Sequence, residues 1–433
     1  MPPRWSPKNL TAARLRLIAL AAAFLVPLGL LHAYLLAEIG IGVTDILFLV
    51  QHIRRNPAVF RQIWFIAALV WWVWLLVCSM PIPSIGLVTA GWSDSFVQAA
   101  IIIRFLVFAL ALQTWLLTTP KTRRFAFWLL AASCLWIGLE SWQQYLTGRN
   151  VFGDARWADG ALTGPFWKPR AGVLYSHLLG VAVIPPAIIL VRRRIAGAVA
   201  ATILLGLAAI TAVLIGQRMC SAFTLLALVT AAALVPRLRL PAALAIAAAI
   251  AVLLATPVIS PPTHAKLVVE TSTNMHHFTK SPYGELFIRA AAMGLQSPWH
   301  GFGYNAFRTF CADPRFDPAV PRLHLPPTSV AMNACNLHPH NFYLQAFEES
   351  GLPGLTLFIL VNLLWLAALF KNLRATPDPL RIGLFIAVLT YAWPIASTDA
   401  FPTLYEPGWL FFILGLGLAC ATTTSNAPYR AAA

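Results

Sequence analysis

Residues 338–370 read HPHNFYLQAFEESGLPGLTLFILVNLLWLAALF. The second half is apolar and carries no charge, while the first half gathers two histidines, an asparagine, a glutamine and two glutamates. A run of about 20 mostly apolar residues is long enough to cross a bilayer as a helix. The polar cluster therefore stands where such a helix meets water.

The rest of the chain agrees with a membrane setting. Of 433 residues, 59% are hydrophobic and 11% charged, against about 25% charged in an ordinary soluble domain. With a mean hydropathy of +0.72, so much apolar surface cannot be hidden in a soluble fold of this length. Candidate spans lie near 14–33, 35–53, 62–80, 96–118, 124–146, 171–191, 195–215, 219–235, 240–258, 341–370, 382–398 and 408–424. The expected architecture is all-α and polytopic, with about twelve transmembrane helices. The N-terminus, basic then apolar without a small-residue cleavage site, reads as an uncleaved first span.

The net charge of +16 comes in short clusters between spans: Arg54, Arg55 and Arg61; Lys121, Arg123 and Arg124; Arg192 to Arg194; Arg237 and Arg239; Lys371, Arg374 and Arg381. Together with Arg4, Lys8, Arg14 and Arg16, these fall on one side if twelve spans are threaded. That pattern marks topology rather than nucleic-acid binding, and it puts both termini in the cytoplasm. The chain then divides into an N-terminal bundle over 1–258, a large outer loop over 259–339 and C-terminal spans over 340–433. A shorter outer segment covers 147–170. Within the large loop, GELFIRAAAMGLQSP (284–298) has helical spacing ending at Pro298, and WHGFGYNAF (299–307) reads as a glycine turn.

Four of the six cysteines (Cys78, Cys134, Cys220, Cys420) sit in or beside apolar spans as small core residues. Cys311 and Cys335 share the outer loop, where a disulfide and two free thiols are both open.

Asn341 and the glutamates suit a helix start. Histidine is not a favoured cap, so His340, and secondarily His338, read as a base or hydrogen-bond donor at a wet boundary. Glu349 lies nine residues on, on the opposite face of a regular helix, and reads as structural where SGLPG disturbs that helix. Arg218, in IGQRMCSAF, opposes the topology bias: it either snorkels or clamps an anion. Arg289 lies on the loop helix, and Lys168 and Arg170, in GPFWKPR, add charge beside aromatics. Trp157, Trp167 and Trp299 read as interfacial anchors or a sugar platform. Arg104 is either a buried ion or snorkels outward. Arginines with a histidine suggest a phosphate-bearing lipid substrate. His276, His277, His338 and His340 have no recognised ligand spacing, so no metal is expected. The paired acids of a glycosidase are absent, and so are nucleotide-binding glycine motifs.

HNFYLQAFEESGLPG (340–354) resembles the His-Asn…Glu-x-Gly-x-x-Gly signature of the O-antigen ligase family. FIRAAAMGLQSPWHGFGYNAFR is similar to that family's arginine-helix segment followed by P-x-x-G-x-G-x-x-x-F, matched by Pro298, Gly301, Gly303 and Phe307. GQRMCSAF resembles its Ser-Arg-Gly segment, with Gln217 for the serine and Met219 for the glycine. ALTGPFWKPR is similar to a looser Gly-x-Phe-x-x-Pro loop. The resemblance implies a GT-C-like inner-membrane glycosyltransferase of a bacterium, with its site facing the periplasm. It implies an undecaprenyl-pyrophosphate-linked glycan donor, and lipid A–core or a growing glycan as acceptor. The implied reaction is inverting and needs neither cofactor nor metal. It implies catalytic roles for His340, Arg218 and Arg289. Lys168, Arg170, Asn341 and His338 are then expected at the substrate, and Glu349, Gly351 and Gly354 in structural roles. Ligation in lipopolysaccharide biosynthesis is the first expectation. Polymerisation of O-antigen or exopolysaccharide, protein O-glycosylation and transport follow in that order.

Overall fold

The computed structural model describes residues 7–81, 89–317, 326–328, 335–374, 377–395 and 403–424. Expectations for Arg4, the two termini and loop residues 318–325 and 329–334 lie outside the described residues. The helices are α1 (Pro7–His32), α2 (Tyr34–His52), α3 (Ile63–Ser79), α4 (Trp92–Leu116), α5 (Pro120–Thr147), α6 (Ala171–Leu190) and α7 (Ile195–Ile215). There follow α8 (Arg218–Leu234), α9 (Arg239–Ile259), α10 (Pro282–Gln296), α11 (Phe342–Phe370), α12 (Pro379–Tyr391) and α13 (Tyr405–Thr424). Among the described residues nine helices are long and apolar enough to cross a membrane. Three shorter apolar helices (α3, α8 and α12) stand where the sequence also placed spans.

Local chemistry sets the ends. Thr119 caps α5 by accepting from the Thr122 amide (3.3 Å), so that helix begins before the predicted 124. Helix α12 ends at Tyr391 rather than 398. Pro394 follows, and the Asn341 amide group takes its carbonyl (2.8 Å). The longest helices pack into one core: α13 is almost wholly buried, and Trp365 on α11 meets Phe411 edge-to-face at 5.5 Å. Arg104, in α4, is partly buried and pairs with Glu38 of α2 at 3.0 Å.

The loop between α9 and α11 sits at one end of the bundle, hereafter the loop face, with its own core. Leu286, Ala290 and Met293 on α10 pack with Phe302, Phe307 and Phe316. Cys311 and Cys335 are joined as a disulfide, tying the stretch that leads into α11 to this core.

The loop is fastened to the bundle where α11 breaks. Gly351 has φ 66° and ψ −170° inside the helix, and Pro353 has no amide hydrogen. The i→i−4 ladder is thereby interrupted, which frees the carbonyls of Glu348, Glu349 and Ser350 and the amide of Leu352. All four find partners. Phe302 N donates to Glu348 O (2.9 Å), Gly303 N to Glu349 O (2.9 Å), and Leu352 N to Pro298 O (2.7 Å). Trp74 Nε1 of α3 donates to Ser350 O (2.9 Å). The glycine turn is thus built into the break. A β-carbon at Gly301 (φ +65°) would lie 2.4 Å from the Glu349 carbonyl carbon, and one at Gly351 2.6 Å from that of Trp299.

Alanine at Gly301 or Gly351 is expected to cost about 2 kcal/mol or more, from left-handed strain plus the clash. Gly42, on α2 with open space around it, serves as the control and gains helix propensity on substitution by alanine. Thermal unfolding in detergent checks this: the first two variants melt lower, and Gly42→Ala melts at or above the parent.

Candidate functional site

The loop face carries a cavity of about 260 Å³, lined among others by Arg170, Arg218, Lys266, Tyr283, His340 and Glu406. Six separate parts of the chain supply these side chains. Gly216 takes a left-handed conformation at the end of α7 (φ 75°), which turns the chain so that Arg218 opens α8 at the cavity wall. Arg170 stands just before α6, its guanidinium 4.8 Å over the Tyr405 ring and bonded to the Tyr34 hydroxyl. Lys266, in the short helical stretch that follows α9, pairs with Asp159.

Arg218 is held by loop groups. Its Nη2 meets Glu270 at 2.6 Å, and its Nε donates to Thr271 Oγ1 at 2.9 Å. Glu270 is about half exposed (54%), so this pair is screened by solvent and weak. A stronger anion entering the cavity can replace it.

His340 has φ 55°, an uncommon value for a residue other than glycine. This backbone turns its ring toward the cavity, where it meets Tyr283 edge-on (centroids 5.6 Å). His338 Nε2 lies 3.2 Å from His340 Nδ1, and Asn336 Nδ2 lies 3.2 Å from His340 Nε2. Next in the chain, Asn341 caps α11: its Oδ1 accepts from the amides of Tyr343 and Leu344, both at 3.0 Å. The residue expected to touch substrate thus fixes the orientation of the histidine turn.

The structure brings Arg170, Arg218 and His340 together and leaves Arg289 outside this cavity. Arg289 is wholly buried (0% exposed) in the loop core. Its Nε donates to Cys311 O (2.7 Å), its Nη2 to Asp313 O (2.8 Å), and its Nη1 meets the Asp317 carboxylate. Beside it, the side chain and amide of Arg315 both donate to Asp313 (2.6–2.9 Å) and hold that carboxyl down at about 2. Arg289 therefore gathers the chain around the disulfide. Lys168 also stays outside the cavity, 4.3 Å over the exposed Trp167 ring. Glu349 Oε1 accepts from Asn305 N (3.1 Å) and Gln345 Nε2 (3.0 Å), at the helix break with Gly351 and Gly354. Among the described residues no group of three histidine, cysteine or acidic side chains could hold a metal ion.

Sequence reasoning passed over Lys266, Tyr283 and Glu270. Lys266 carried a usable signal, since it opposes the topology bias as Arg218 does. The other two became visible only when the loop folded.

Fold and site together define an all-helical, multi-pass membrane protein with a cation-lined pocket at one end of its bundle. A family model described as O-antigen ligase matches residues 203–359, a segment holding Arg218, Lys266, Arg289, His340 and the broken helix. Over that segment the chain is similar to the O-antigen ligase family. No curated protein matches the chain.

The two sets of cations are expected to separate in a stability measurement. Arg289→Lys keeps the charge but loses the planar fork that binds three acceptors. Leaving a buried carbonyl without its donor costs about 1–3 kcal/mol, so the melting temperature drops by several degrees. Arg170→Lys, at a partly exposed position, leaves it nearly unchanged.

Proposed function

We propose that the protein transfers a glycan from undecaprenyl pyrophosphate to an acceptor hydroxyl, acting as an O-antigen ligase on lipid A–core in the bacterial inner membrane. The supporting observation is the meeting of Arg170, Arg218, Lys266 and His340, far apart in sequence, in one cavity within and beside the matched family segment. We further read α3, α8 and α12 as membrane spans, which makes twelve crossings of GT-C type. The basic clusters then mark the cytoplasmic end, both termini lie there, and the loop face looks into the periplasm.

The diphosphate is already a good leaving group. Arg218 moves from Glu270 to a phosphate oxygen, and with Arg170 and Lys266 neutralises the charge that grows as the bond from phosphate oxygen to anomeric carbon breaks. The acceptor oxygen forms the new bond on the opposite face of that carbon, inverting it. Its proton passes to His340, oriented by His338 and Asn336. The prenyl tail lies along the apolar helices. Positively charged side chains supply all the charge stabilisation in this scheme. Arg289 acts at one remove, by holding the loop core around α10, the helix that carries Tyr283.

A polymerase would use the same donor chemistry with a growing glycan as acceptor. A deletion strain distinguishes the two on a lipopolysaccharide gel. Long glycan retained on the lipid carrier supports ligation, whereas core carrying a single repeat supports polymerisation and overturns the ligase assignment.

In a reconstituted assay, His340→Ala and Arg218→Ala are each expected to lower kcat by about 10²–10³-fold with correct insertion; full activity in either would remove its role. Glu270→Gln has the opposite sign. Removing the competing carboxylate frees Arg218 and lowers the donor KM, by a few-fold at most because the pair is solvent-screened.

A further inference from the structure

A second cavity, of about 350 Å³, lies on the other side of the histidine turn. Arg104, Tyr304, Arg308, His338, Gln345 and Glu348 are among its walls. Two thin partitions separate it from the basic cavity. One is the His338–His340 contact, with His338 on this side and His340 on the other. The other is the start of α13, where Thr403 and Leu404 face this cavity and Tyr405 and Glu406 face the basic one.

The feature that demands a ligand here is Glu348. Its side chain is fully buried (0% exposed), and neither carboxylate oxygen has a hydrogen-bond partner among the described residues, although the Phe307 amide faces it. Such a group is costly unless a donor arrives. The Nε of Arg104 is unpartnered too, while its Nη2 is held by Glu38. Arg308 stands exposed at the rim.

This mixture selects the chemistry of the occupant. Glu348 offers buried oxygens without partners, Arg104 and Arg308 offer N–H donors, and the polar walls exclude an alkyl chain. A polyhydroxylated ring satisfies all of them, its hydroxyl hydrogens going to the carboxylate and its oxygens to the guanidinium groups. The volume suits a small-ligand site.

We infer that this chamber binds the sugar head of the acceptor, with Glu348 and Arg308 as its recognition residues. The inference rests on the transfer reaction proposed above. It gives that reaction an in-line arrangement: diphosphate in the basic cavity, acceptor entering from the opposite side, and the histidine pair between them. As the acceptor oxygen bonds to the anomeric carbon, its proton goes to the histidine pair. The diphosphate leaves with the electron pair of the broken bond.

The test uses the full-length protein in nanodiscs, with undecaprenyl-pyrophosphate glycan as donor and lipid A–core as acceptor. Glu348→Gln and Arg308→Ala are expected to raise the acceptor KM about tenfold or more, the scale of a lost charge-assisted hydrogen bond, and to leave the donor KM within about twofold. Core oligosaccharide released from lipid A is expected to compete with acceptor and not with donor, more weakly in both variants. Because Arg308 is exposed, its variant guards against misfolding of Glu348→Gln. An active parent whose variants keep the acceptor KM, or shift the donor KM instead, overturns the chamber assignment. A well-inserted parent that transfers nothing overturns the underlying reaction, and this inference with it.

Discussion

The arrangement depends on a broken helix whose backbone is repaired by a loop. Inside a bilayer, unpaired amides and carbonyls have no water to turn to, so irregular backbone survives only where protein satisfies it. Gly351 and Pro353 free three carbonyls and one amide of α11, and Pro298, Phe302, Gly303 and Trp74 take them up. The two glycine motifs therefore belong to one object, each supplying what the other lacks. Neither segment has a reason to hold its shape alone. The loop cannot drift without leaving polar backbone groups of α11 unpaired.

That lock has a consequence at its far end. With the loop fixed on α11, the disulfide and the Arg289 cluster hold the chain that runs into Asn336 and His338. Asn341 then pins the start of α11 through two amides and the Pro394 carbonyl. Between these two anchors the backbone at His340 is forced into a left-handed conformation, and its ring is set against Tyr283 and His338. Strain at one residue persists only when its surroundings over-determine it, and here both sides are tied.

Much of the fold was legible because apolar runs and basic clusters are one-dimensional signals. The span positions, the loop helix ending near Pro298 and the polar start of α11 could all be read from order alone. So could Arg218, an arginine on the wrong side of the topology pattern. The ends of α5 and α12 shifted by four and seven residues because a threonine cap and the Trp393-Pro394 step are local signals that a hydropathy window averages out. The cavity membership of Lys266 and Tyr283 was hidden for another reason. It depends on how the loop folds back, through contacts between segments tens of residues apart.

Arg289 shows where sequence logic and structure part company most instructively. A lone arginine on a loop helix, near a histidine motif, invites the reading of an anion clamp, and chemically it is suited to one. Its buried guanidinium is instead saturated by two carbonyls and the Asp317 carboxylate at the edge of the loop core. The same planar fork that binds phosphate also binds backbone carbonyls converging from several directions, and a buried site of that shape accepts no lysine. Residue type and motif context therefore define the hydrogen-bonding geometry at such a position without defining its partner. The partner is set by which groups the loop leaves unsatisfied: at Arg289 these are its own carbonyls, while at Arg218 a half-exposed glutamate leaves the guanidinium open to exchange.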